Sequence, residues 1–119
     1  MSKIVCKCGN ILPDNTDRIR YKGYIISDCE FFDLLDFADE MIETSNPHRE
    51  DLAMTFRSNI GIGEKHIRLK EMYQCPLCGR ILMEVTPGQF CSFVPEGHDE
   101  KSLLDYKVGE QVKYIYKKQ

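Results

Sequence analysis

The period of the hydrophobic positions changes along this 119-residue chain, and each change predicts an element. Residues 18–26 (RIRYKGYII) mix aromatic and β-branched side chains and predict a strand. Ser27 followed by Glu30 has capping-box spacing, so a helix should start there. Phe31, Leu34, Leu35, Ala38 and Ile42 recur at helical spacing and mark the face expected to be buried. Asp33, Asp36, Glu40 and Glu43 recur on a different face. Asn46-Pro47 reads as an N-cap followed by proline at the first helical position. The second helix should run to about residue 59, with Leu52, Ala53, Phe56 and Ile60 as its apolar stripe, and Gly61 and Gly63 end it. Residues 66–74 (HIRLKEMYQ) alternate and predict a strand; residues 80–86 and 90–94 flank Pro87-Gly88 and predict a hairpin. Residues 96–102 read as a polar loop, and residues 111–116 as a last strand, at a sheet edge because Lys117 and Lys118 follow. The expected fold is α+β: one domain over residues 1–119, a small antiparallel sheet with two helices inserted at 27–63.

Composition narrows this picture only a little. Hydrophobic residues make up 42% and charged residues 29%, the balance of a chain that folds. At this length one core is expected. No stretch approaches the apolar length of a membrane-spanning helix, and no signal-type apolar run follows Met1, so a cytoplasmic protein is the expectation. Thiols stay reduced there, so the six cysteines are not expected to form three disulfides.

Charge adds more. The formal net charge is -3, which speaks against a strongly basic nucleic-acid binder. It hides a segregation: residues 28–51 hold nine acidic side chains and one basic, a formal -8, leaving +5 elsewhere. Such a face steers basic partners. Asp33, Asp36, Asp39, Glu40 and Glu43 are the candidate partner-binding residues. Phe32 is their candidate apolar anchor, because Phe32 and Phe37 lie off the main apolar stripe. A solvated face without a partner is the plainer alternative.

The cysteines carry the chemistry. They stand at positions 6, 8, 29, 75, 78 and 91. Cys6-Lys7-Cys8-Gly9 and Cys75-Pro76-Leu77-Cys78-Gly79 form two glycine-tailed pairs, each entered from a strand-like run and followed by Ile-Leu. Two such turns supply opposite edges of a tetrahedral thiolate site. The glycines permit positive φ, which brings amide N–H groups toward sulfur. Cys6, Cys8, Cys75 and Cys78 are therefore the candidate metal ligands. Zinc is the expected ion, with iron an alternative that four thiolates also accept. Cys29 and Cys91 read as small core hydrophobes. His48, His66 and His98 show no ligand spacing; His98 is the one to compare with the metal site.

YQCPLCGRIL, residues 73–82, resembles a zinc-ribbon knuckle of the rubredoxin type, and VCKCGNIL, residues 5–12, resembles a shortened partner knuckle. The resemblance implies a structural zinc ion on the same four cysteines. It departs from the common pattern in the single residue between Cys6 and Cys8 and in the long separation of the knuckles, which the helical insertion would fill. The same residues admit a thiol redox switch, since CPLC resembles a thioredoxin-like turn and the CxC and CxxC pairs together resemble a zinc-released chaperone switch. A thioredoxin turn belongs between a strand and a helix, whereas a hairpin follows Cys78 here.

No catalytic pattern accompanies the site. Gly61-Ile62-Gly63 lacks a third glycine and precedes a strand, no serine lies in a nucleophile elbow, and a four-thiolate ion has no open position for water. The expectation is a non-enzymatic protein-binding module, similar in size and charge to small bacterial immunity proteins that neutralise basic toxins. The alternative is a zinc-ribbon nucleic-acid or transcription-associated protein, using Lys7, Arg18, Arg20, Lys22, Arg68, Lys70 and Arg80 as a basic patch.

Overall fold

The computed structural model describes residues 3–45, 48–63, 65–97 and 100–104. The architecture is α+β, as the patterning predicts. Two short strands, β1 (Lys3–Val5) and β2 (Ile11–Pro13), pair antiparallel around the first cysteine turn. Strand β3 (Lys22–Ile25) then leads into helices α1 (Asp28–Glu43) and α2 (Arg49–Ser58). Two-residue strands β4 (Ile60–Gly61) and β5 (Ile67–Arg68) pair in parallel, a pairing the expected all-antiparallel sheet did not include. Strands β6 (Lys70–Gln74), β7 (Ile81–Thr86) and β8 (Gln89–Phe93) join β3 in a four-stranded antiparallel sheet of order β3-β6-β7-β8.

The expected strand at 66–74 is two strands. Leu69 interrupts it: β5 serves the helical lobe, and β6 the main sheet. The strand expected over 18–26 is shorter, because Arg18 has φ 59 and the chain turns until Lys22. The Pro87-Gly88 hairpin forms as expected, with Gly88 at φ 80 and Thr86 opposite Gln89. The expected strand at 111–116, His98 and the Asn46-Pro47 cap lie outside the described residues.

Ser27 caps α1 as its spacing predicts. Its hydroxyl accepts from the Glu30 N–H at 3.2 Å and donates to Glu30 Oε1 at 3.1 Å. The other Glu30 oxygen accepts the Arg68 N–H at 3.0 Å, so one carboxylate both closes the cap and ties the helix to β5. Phe37 stacks on Phe56 at 5.2 Å and joins the helices. Phe37 therefore belongs to the helix–helix contact and is not a free interface anchor.

The core lies elsewhere. Cys6, Leu12, Tyr73, Cys75 and Leu82 form the buried cluster, with Ile4, Tyr21, Cys78 and Phe90 packed against it. It sits between the β1-β2 hairpin and one face of the main sheet. Among the described residues neither helix contributes a fully buried side chain. The face expected to be buried on α1 is corrected accordingly: Phe31, Leu35 and Ile42 are exposed, and Leu34 and Ala38 are half-buried. The reason is directional. The second helix and β5 approach α1 from the Glu30 and Phe37 side, and the main sheet does not lie behind the stripe.

Candidate metal centre

Each cysteine pair is placed by a local turn between two strands. In the first, the Cys6 N–H donates to Asn10 O and the Gly9 N–H to Cys6 O, both at 2.9 Å. In the second, the Cys75 N–H donates to Arg80 O at 2.9 Å and the Gly79 N–H to Cys75 O at 2.8 Å. The two turns share one hydrogen-bond scheme, although the first is a residue shorter between its cysteines. Gly9 and Gly79 have φ 98 and 81, conformations that a side chain would strain. Strand β1 delivers Cys6, and β6 delivers Cys75. The helical insertion starts and ends on neighbouring strands β3 and β6, so its length does not separate the two turns.

The four sulfurs converge. Cys6 Sγ lies 3.5 Å from Cys78 Sγ, and Cys8 Sγ lies 3.6 Å from Cys75 Sγ. All four lie within 4.8 Å of one another and could hold a metal ion. Metal–sulfur bonds of about 2.3 Å define a tetrahedron with edges of about 3.8 Å, so the cluster has the right size for one ion. Cys6 and Cys75 are buried, Cys78 is half-buried and Cys8 is exposed.

Backbone N–H groups and neighbouring side chains polarise the thiols unevenly. Burial pushes Cys78 up, but the Arg80 N–H and guanidinium, with Cys6 and Cys8, more than offset it and bring its pKa down to about 6. Burial likewise raises Cys75, yet the Cys78 N–H, the Asn10 amide at 3.5 Å and the Leu77 N–H lower it overall. Cys6 is pushed up to about 12, by burial first and by its sulfur neighbours. The cluster therefore favours negative charge on the second turn, at Cys75 and Cys78, over negative charge at Cys6.

Two residues outside the cysteines support the site and were not singled out from the sequence. Gln74, only 1% exposed, donates to Gly79 O at 3.3 Å and Glu100 O at 2.9 Å, and its Oε1 accepts the Leu103 N–H at 2.7 Å. It fastens residues 100–103 beside the second turn. The hydroxyl of Tyr73, 2% exposed, shares its single proton between Asp14 and Glu71, and the Lys22 ammonium pairs with the same two carboxylates at 2.7 and 2.8 Å. This network joins the end of the first hairpin to β3 and β6. Single-residue patterns carry no trace of it, because its members are far apart in the chain.

The network also changes the reading of the basic patch. Lys22 is committed to Asp14 and Glu71, and Arg80 to Cys78. Lys7, Arg68 and Lys70 remain exposed.

Asp33, Asp36, Asp39, Glu40, Glu43 and Phe32 are all exposed along α1, and Phe32 is 56% exposed, in edge contact with Phe31. They lie on the helical lobe and not at the cysteine cluster. Cys29 and Cys91 are exposed, which corrects their reading as core thiols. Cys29 occupies the first turn of a helix with an open outer face, and Cys91 an outward position of β8.

Among the described residues, no helix is long and apolar enough to cross a membrane. A family model described as Domain of unknown function (DUF8617) matches residues 2–117. No curated protein and no solved structure matches the chain.

Proposed function

The chain belongs to the DUF8617 family, and we propose that it is a non-enzymatic, zinc-stabilised protein-binding module whose acidic helix α1 recognises a basic protein. An immunity- or antitoxin-type inhibitor of a basic toxin is the form this takes. The observation that carries the reading is the separation of two features. The four-cysteine cluster is built onto the core, with Cys6 and Cys75 inside it and Cys78 packed against it, while Asp33, Asp36, Asp39, Glu40 and Glu43 stand exposed on a helix outside it, without an ion pair among the described residues.

Zinc suits the donor set: four thiolates, two glycine-tailed turns, and N–H groups directed at sulfur. Cys6, Cys8, Cys75 and Cys78 would hold it, and the ion would supply a cross-link between the first hairpin and the main sheet. A four-thiolate ion leaves no position for a reacting water, which supports binding over catalysis. Engagement of Lys22 and Arg80 within the fold weakens the nucleic-acid alternative.

Purified protein should carry one zinc per chain by elemental analysis, without the visible absorbance of an iron–thiolate centre. Reversal of Asp33, Asp36 and Glu40 to lysine should leave circular dichroism and melting unchanged. The variant should lose a basic protein partner recovered from the source cells, since clustered charges govern such encounters. Undiminished capture, or tight and steeply salt-dependent binding of the unaltered chain to duplex or single-stranded nucleic acid, would remove this reading.

A further inference from the structure

Helix α1 carries a second feature beside its acidic face. Phe31, Leu35, Ala38 and Ile42 recur at i, i+4, i+7 and i+11, the spacing of one helix face. This is the stripe that patterning predicts to be buried, yet Phe31, Leu35 and Ile42 are 42%, 43% and 68% exposed. Its C-terminal half opens into an apolar groove of about 290 Å³ between the helices, lined by Ala38, Met41, Ile42, Leu52 and Phe56. Asp39 and Glu43 directly follow the groove residues Ala38 and Ile42, and Glu50 and Asp51 open α2. Among the described residues the one cation at the groove, Arg49, donates to the Thr44 carbonyl at 3.4 Å.

We infer that this stripe and groove form the docking site for a basic amphipathic helix of the partner, with apolar anchors on one face and lysine or arginine beside them. The inference rests on the acidic-face reading above and deepens it. Charge selects the occupant. A second copy would bring another -8 over residues 28–51 against the first, and like charges face to face oppose association. A basic helix reverses that sign. Its length also fits: from Phe31 to Ile42 the row spans about 16 Å, over which an incoming helix presents three or four anchors at matching spacing. Met41 at the groove and Met54, 67% exposed on α2, give the surface side chains that adjust to an incoming shape.

The test uses the full zinc-loaded chain and three synthetic helical peptides. They share one apolar face and carry lysine, glutamine or glutamate on the other. Fluorescence anisotropy should show the lysine peptide binding at least about tenfold more tightly than the glutamine peptide, and the glutamate peptide not binding. Leu35→Ser and Ile42→Ser should each weaken the lysine peptide by about tenfold or more, the loss expected for one buried aliphatic contact. Their melting should not change, because both side chains are already exposed.

Several results would overturn the inference. One is equal affinity for all three peptides; another is full affinity in both serine variants. Self-association of the unaltered chain in sedimentation equilibrium, abolished by Ile42→Ser, would assign the stripe to a second copy. Tighter peptide binding after the charge-neutral changes Val112→Ser and Ile115→Ser would assign it to the C-terminal residues of the chain itself. Loss of binding on reversal of Asp33, Asp36 and Glu40, with both serine variants unaffected, would retain the acidic reading and remove the stripe. Weakening by the serine variants without discrimination among the peptides would remove the acidic reading as well.

Discussion

Asp14 shows how much one side chain can depend on distant neighbours. Burial alone would raise its pKa, but hydrogen bonds from Lys22 and Tyr73 outweigh it and hold the carboxyl below its ordinary value of 3.8. Its contribution to stability is therefore present above the unfolded value and is lost as pH falls through the lower folded one. Lys22 behaves in the opposite sense. Burial disfavours its charge, yet Asp14 and Glu71 raise its pKa above 10.5, so its contribution is present below that value and lost only in strong alkali. Asp14→Asn should thus cost about 1–3 kcal/mol at neutral pH, as charge-assisted bonds are removed from a mostly buried group. Urea midpoints of variant and parent should converge as pH drops below about 4. A difference independent of pH would show that Asp14 acts by packing alone.

At the scale of elements, α1 is held by its start and not by its apolar face. Ser27 and Glu30 were legible as a cap because the two residues lie within one turn. The second duty of Glu30, accepting the Arg68 N–H, was not, since Arg68 is 38 residues away. Glu30→Ala should therefore speed amide exchange at Arg68 and in the first turn of α1, while Tyr73 and Leu82 in the main sheet keep their protection. Exchange-detected NMR checks this; unchanged rates at Arg68 would detach the helix cap from β5. The same element shows the limit of periodicity. Helical spacing identifies an apolar face but not what covers it, and here the α2 contact was taken by Phe37.

At the scale of the molecule, the buried side chains gather around sulfur. Cys75 is fully buried and Cys6 is 2% exposed, both within the main cluster. A cluster this small would draw much of its folding free energy from an ion held between its two halves. Cys75→Ser, or chelation of the parent, should release the metal and lower the melting temperature by roughly 10 °C or more. Elemental analysis and calorimetry read both quantities. Full stability with unchanged metal content would refute the ligand assignment. The charge distribution belongs to this scale too: one ammonium paired with two carboxylates inside the fold, and the acidic surplus outside it.

The four candidate ligands were legible in the sequence because their geometry is local. A cysteine pair with a trailing glycine carries its own turn and its own N–H donors, whatever lies between the pairs. The cap of α1 and the Pro87-Gly88 hairpin were legible for the same reason. Only the tertiary structure decided which apolar faces were covered. It placed Cys29 and Cys91 outside, left Phe31, Leu35 and Ile42 open, and drew Lys22 between two carboxylates. Burial is a property of what packs across from a residue, and those neighbours come from distant parts of the chain.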